Sequence, residues 1–196
     1  MITAGDCTGH GVPGALMSML GISFLGEIVN NRRITESGQI LNELRKEVQR
    51  ALHQKGIRDE AKDGMDISLC VVDRTKNVIQ FSGANNNLYM VRDGELTDYR
   101  ADRMPIGIYD LEDKDFTSQN IPTMSGDLIY MFSDGYADQF GGPNHKKFKY
   151  TTLKTFLLNI HKLPLLRQKQ KLEKEFNDWK GTSPQIDDVL ILGLRI

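Results

Sequence analysis

Only two cysteines, Cys7 and Cys70, occur in the 196 residues. That number gives no disulfide framework and their spacing gives no CxxC metal knuckle, so a reducing cytosolic setting is expected. Charge of one sign is not in excess either. Against 26 Asp+Glu stand 25 Lys+Arg, and the net −1 gives no global pull toward nucleic acid. From the sequence, no apolar run is expected to reach the roughly 18 residues that span a bilayer. The first residues lack a basic start, a long apolar stretch and a cleavage site, so no signal peptide is expected. Internal repeats and low-complexity linkers are missing as well. What is present is 39% hydrophobic and 26% charged, a globular balance, at a length that suits a single domain over residues 1–196.

Residues 12–29 (VPGALMSMLGISFLGEIV) read as a helix, with Pro13 in the first turn, where its missing N–H costs nothing. Apolar residues fall on nearly every side, which predicts cover on most faces and puts Met17 and Met19 in a core. Residues 38–54 read as a second, amphipathic helix. Leu41, Leu44, Val48 and Leu52 share its apolar face, and Thr35 or Ser37 is placed to cap it. The middle of the chain turns to strands. ISLCVVD (67–73) is apolar on both alternating sets, a DRTKN turn leads into VIQF (78–81), and LYMVR and ELTDYR flank the tight-turn pair Asp93-Gly94. DLIYMF (127–132) is a buried strand running into Ser133-Asp134-Gly135. Residues 151–161 and 163–180 read as helices, with Leu172, Phe176 and Trp179 on one face of the second, and VLILGLRI (189–196) as a last strand. Helices with many antiparallel-type strands predict a layered α+β domain.

Carboxylates stand at three strand ends. Asp6 lies in GDCTGHGVPG, Asp134 follows DLIYMF, and Asp187 and Asp188 precede VLILGL. Taken singly, such residues are ordinarily turn formers or helix caps. Gathered together, they repel one another unless cations sit between them. An all-oxygen set without a His or Cys cluster suits Mg²⁺ or Mn²⁺ rather than zinc. Two such ions can activate a water and hold a phosphoryl group for in-line attack. Glycines at 5, 9, 11 and 14 allow close backbone approach beside Asp6.

The remaining candidates each carry two readings. His10 in GHG is a proton donor to a leaving oxygen or an anchor of its loop. Asn85, Asn86 and Asn87 are turn residues or substrate contacts. The basic residues of HKKFK (145–149) and of 162–174 form a solvated face or meet an acidic partner. Cys7 and Cys70 read as small buried hydrophobes, and His53, His145 and His161 as surface residues. No Gly-Lys-Ser/Thr follows GHGVPG, which excludes a nucleotide-binding P-loop.

GDCTGHGVPGALMSML, DGMDISLCVVD, FSGANNNLYMVRDGEL, SDGYADQFGG and IDDVLILGLR occur in the order found in the PPM metal-dependent protein phosphatases of the SpoIIE/RsbU-like branch, which the chain resembles over residues 2–196. The resemblance implies an αββα sandwich, two antiparallel sheets flanked by helices. It also implies N-terminal truncation, because the family's earlier strands and their acidic GGD-aromatic motif have no counterpart before Asp6. The implied activity is hydrolysis of phosphoserine or phosphothreonine on a signalling protein, by water activated by two Mn²⁺ or Mg²⁺ ions. By matching motif, Asp6 corresponds to the catalytic ligand bridging both ions and the backbone carbonyl of Cys7 to a further ligand. Asp134 and Asp187 correspond to the carboxylates that complete the pair, Asp188 is a lesser candidate, and His10 is a candidate general acid.

The implied partners are a phosphoprotein of the anti-sigma-factor-antagonist type, within bacterial sigma factor regulation, and an upstream sensor domain. No nucleic acid partner is expected. The implied location is cytoplasmic, alone or within a larger membrane-anchored signalling protein. The missing upstream acid predicts weak or absent turnover for this chain. The other reading is a noncatalytic signalling module of the same fold, which forms a homodimer through the 12–29 helix or a sheet edge.

Overall fold

The computed structural model describes residues 1–9, 11–54, 63–109 and 114–196. The strands are β1 (Ile2–Cys7), β2 (Met65–Asp73), β3 (Val78–Ala84), β4 (Leu88–Arg92), β5 (Glu95–Tyr99), β6 (Gln119–Pro122), β7 (Leu128–Phe132), β8 (Phe140–Gly141), β9 (Lys146–Lys147) and β10 (Ile191–Arg195). The helices are α1 (Val12–Gly26), continued by a π-helical turn over Glu27–Asn31, then α2 (Ser37–Ala51), α3 (Gly135–Asp138), α4 (Tyr150–Ile160) and α5 (Leu165–Lys180). The chain divides into two compact units. One comprises Met1–Asn87 with Arg100–Thr123, the other Leu88–Tyr99 with Met124–Ile196.

The first unit holds an antiparallel four-stranded sheet in the order β1-β2-β3-β6, together with α1 and α2. The 3-4-4 spacing of α2 does what it predicts: Leu41, Leu44 and Val48 are fully buried and join Ile67 and Leu69 of β2 in one core. The cap is different from either candidate. The Glu36 side chain accepts from the N–H groups of Gly38 and Gln39. Ser37 is instead fully buried, its hydroxyl bonded to those of Ser82 at 2.8 Å and Ser118 at 3.1 Å. A buried hydroxyl with two partners of its own is not free to cap, so the longer acidic side chain before it takes the orphan amides.

Helix α1 departs from expectation too. Only Gly14, Met17, Gly21 and Leu25 are buried, and Gly21 sits so close to β2 that a Cβ there would lie 2.9 Å from the Met65 methyl. Val12, Leu16, Met19 and Ile22 are 57–73% exposed. The predicted cover on most faces is therefore wrong for this side, and Met19 is not a core residue. Core packing has taken one stripe of a helix that is apolar all round. With the π-helical turn, Val12–Asn31 is also a 20-residue run long and apolar enough to cross a membrane by length and composition, contrary to the expectation from sequence.

The second unit holds the antiparallel sheet β10-β7-β4-β5, with α3, α4 and α5, and a two-stranded β8-β9 ribbon. The hairpin between β4 and β5 turns at Asp93 and Gly94, both at positive φ (51° and 84°), as the Asp-Gly pair predicts. Every residue of β7 is buried. Leu172 and Phe176 of α5 are buried in the same core as Tyr130, Tyr136 and Phe148, and the Trp179 indole N–H donates to the Gln139 carbonyl at 3.0 Å. The α+β class, with antiparallel sheets and attached helices, is as expected.

One ion pair anchors the start of β7. Asp127, 2% exposed, accepts from Arg92 Nε at 2.8 Å and Nη2 at 2.6 Å, and from the Met124 N–H at 2.7 Å. The Arg92 hydrogen bonds hold its carboxyl below the usual carboxylate range, against the opposing effect of burial. Arg92→Ala is expected to cost about 2 kcal/mol, because it leaves a buried carboxylate without its guanidinium. Urea unfolding of the variant at pH 7 measures this. Since the folded value is depressed, the pair's contribution is present above the unfolded value of about 3.9 and disappears as pH falls through the folded value.

Candidate metal centre

In the first unit, Asp6 lies on β1 opposite Asp66 of β2. Asn85 donates from Nδ2 to Asp66 Oδ1 at 2.8 Å. Immediately after Cys7, the Thr8 N–H donates to the Gly64 carbonyl at 3.0 Å and the Gly64 N–H donates to the Thr8 hydroxyl at 2.8 Å, fixing the turn away from β1. The chain enters α1 through Gly11 (φ 69°, ψ −137°), a backbone conformation that a side chain would strain. His10 lies outside the described residues.

Burial raises the Cys7 thiol above its ordinary value, the neighbouring Asp6 charge adding to this and a Ser18 hydrogen bond opposing it. Burial pushes Cys70 up to about 12. Both shifts disfavour the thiolate, in keeping with their reading as small hydrophobes. The asparagine turn is tied to its surroundings: Asn87 Oδ1 accepts from the Ala101 N–H at 3.0 Å, and the Ser68 hydroxyl donates to the Asn86 carbonyl at 2.9 Å.

In the second unit, Asp134 and Asp187 come together, each offering a carboxylate oxygen within 4.8 Å of the other. Asp134 follows β7 directly and stands at the N-cap of α3, yet its side chain makes no capping bond. Its Oδ1 is buried and has no hydrogen-bond partner among the described residues. Burial raises the Asp134 carboxyl above its ordinary value, with Asp187 and then Asp138 adding to the effect. Asp138 is itself paired with Lys147 at 2.7 Å.

Asp187 is exposed but held. Its Oδ1 accepts from the Asp188 N–H at 2.8 Å, and its carbonyl accepts from Gln185 Nε2 at 2.8 Å. Asp188 contributes its main chain, which accepts from the Ser133 hydroxyl at 2.9 Å. Gly135 makes this approach possible: a Cβ there would stand 2.3 Å from the Asp188 carbonyl oxygen. Sequence reasoning passed over Ser133 and Gly135, although both lie in the SDG triplet that carries Asp134.

A half-buried carboxylate with an orphaned oxygen, beside a second carboxylate, fits a hard divalent cation. The cation would supply the missing partner and cancel the repulsion. The sequence profile of the stage II sporulation protein E (SpoIIE) family matches residues 1–196. The chain belongs to this family. By family and fold it is a PP2C-type phosphatase domain.

Among solved structures, the SiaA-PP2C domain of Pseudomonas aeruginosa is 30% identical with a TM-score of 0.88, matched over 99% of this chain and 74% of that one. The PP2C phosphatase domain with a regulatory fragment of SpoIIE from Bacillus subtilis is 19% identical with a TM-score of 0.71, over 99% of this chain and 53% of that one. The RsbU and RsbW domains of a Mycobacterium tuberculosis protein give 20% identity and 0.69, over 98% of this chain and 50% of that one. No curated protein matches the chain.

Asp134→Asn is expected to raise the melting temperature in chelator by a few degrees, roughly the shift that about 1 kcal/mol produces at this size. Because the folded value is raised, the unsubstituted chain regains this stability as pH falls toward the unfolded value of about 3.9, and the difference between the two proteins closes there. Gly135→Ala is expected to lower the melting temperature instead. Scanning fluorimetry across pH reads both.

Proposed function

We propose that this SpoIIE-family domain is a Mn²⁺- or Mg²⁺-dependent protein serine/threonine phosphatase acting on a phosphorylated signalling protein. The observation that carries the reading is the Asp134 carboxylate, buried with an unpartnered oxygen and facing Asp187 in a PP2C-type fold. Asp134 and Asp187 are the second unit's ligands, Asp6 and the Cys7 carbonyl are those of the first, and Asp188 supports Asp187 through its main chain. Hard cations bound by these ligands would supply charge neutralisation and water activation at a phosphoryl group. Asp187 is kept in orientation by the Asp188 N–H on its carboxylate. The reaction is hydrolysis: water oxygen bonds to phosphorus, the ester P–O bond breaks, and the serine or threonine oxygen leaves with a proton. An anti-sigma-factor-antagonist-like phosphoprotein in the cytoplasm is the proposed substrate, and an upstream sensor domain the proposed source of control.

A second reading, a noncatalytic module that dimerises, draws on the exposed Val12, Leu16, Met19 and Ile22 of α1. Turnover of p-nitrophenyl phosphate and of a phosphoserine peptide with Mn²⁺ separates the two. On the enzyme reading, two Mn²⁺ ions bind and metal-dependent hydrolysis is expected, weak in this chain and stronger in an upstream-extended one, where Asp134→Asn lowers it by at least about two orders of magnitude, the scale on which loss of a strong electrostatic group registers. Retained activity in that variant would remove Asp134 from its role. A chain that neither binds Mn²⁺ nor turns over belongs to the second reading.

A further inference from the structure

The loop before β10 carries Asp187, and its geometry is set from β7. The Ser133 N–H donates to the Leu190 carbonyl at 3.0 Å, the Leu190 N–H donates to the Ser133 hydroxyl at 2.9 Å, and that hydroxyl donates to the Asp188 carbonyl at 2.9 Å. Regular β7-β10 pairing stops one step earlier, at Phe132 opposite Ile191. At the next position a side-chain oxygen has replaced a backbone carbonyl in the ladder. Because the hydroxyl both accepts and donates, it turns the incoming chain and fixes the peptide that follows Asp188, one step beyond Asp187. Ser133 is 3% exposed, so water does not compete for these bonds.

The other end of the same loop is held as well. Gln139, fully buried, donates from Nε2 to the Pro184 carbonyl at 2.9 Å. Between these holds Asp187 has little freedom, and its carboxylate stays near that of Asp134 despite their mutual repulsion.

We infer that Ser133 is a positioning residue for Asp187: its hydroxyl pre-sets the distance between the two carboxylates, and so the affinity of the cation they share. The inference rests on the metal reading given above. It assigns a role to an uncharged side chain that contacts neither ion nor substrate. Partners one step removed from a metal commonly account for about 10–100-fold in affinity.

The test is calorimetric titration of Mn²⁺ into the full chain and into Ser133→Ala, Ser133→Cys and Ser133→Thr, each checked for cooperative melting. Ser82→Ala is the matched control, since Ser82 is also fully buried and donates to a backbone carbonyl, that of Thr117 at 2.8 Å. Ser133→Ala and Ser133→Cys are expected to weaken Mn²⁺ binding about tenfold or more, and Ser133→Thr, which restores the hydroxyl, to stay within about threefold of the unsubstituted chain. Ser82→Ala is expected to lower the melting temperature with and without Mn²⁺ while leaving affinity unchanged. If Ser133→Ala fails to fold, the comparison of Cys with Thr decides. Unchanged affinity in the Ala or Cys variant overturns the role of Ser133 alone. No Mn²⁺ on the unsubstituted chain overturns the metal reading and this role with it.

Discussion

The second unit is organised around a repulsion. Two carboxylates are held within 4.8 Å of each other, and one of them has an oxygen withdrawn from any hydrogen-bond partner among the described residues. Like charges so close repel one another, and burial of Asp134 adds to the cost of ionising it. A chain free to relax would part them or hydrate them. Here the serine clamp, the close approach at Gly135 and the buried glutamine oppose the parting, while Asp187 stays exposed. The fold maintains a local electrostatic penalty that a bound cation, or a proton on Asp134, would relieve, and this supports the proposed cation site.

Much of the architecture was readable where local chemistry and tertiary packing agree. Asp93-Gly94 announces its hairpin because few pairs adopt two successive positive φ values. The spacing of Leu41, Leu44 and Val48 announces the buried face of α2 because only one face of that helix is apolar. Helix α1 fails the same test for the complementary reason. A helix that is apolar on all sides carries no periodic signal to say which stripe the core takes, so the exposure of Leu16, Met19 and Ile22 could not be read. Strand β6 and the β8-β9 ribbon are too short to leave a pattern of their own.

The carboxylates were legible as strand-end acids and, as a set, by resemblance. Their supports were not. Nothing in the residue type of Ser133 distinguishes a ladder-ending clamp from an ordinary turn serine, because its partners Asp188 and Leu190 lie more than fifty positions away. Glu36 was missed as a cap for a similar reason. The preferred capping serine beside it is engaged by Ser82 and Ser118, residues that only folding brings near.

Strand β10 occupies an outer place in its sheet, laddered to β7. The loop bearing Asp187 is the lead-in to that peripheral strand, so the geometry of one proposed ligand is tied to an edge of the sheet. On the proposed reading, ion occupancy and strand attachment are thermodynamically linked: a bound cation would suppress transient detachment of the edge, and any contact that staples the edge would tighten the grip on the ion. Such reciprocity would give an event at the periphery of the sheet a route to the proposed cation site.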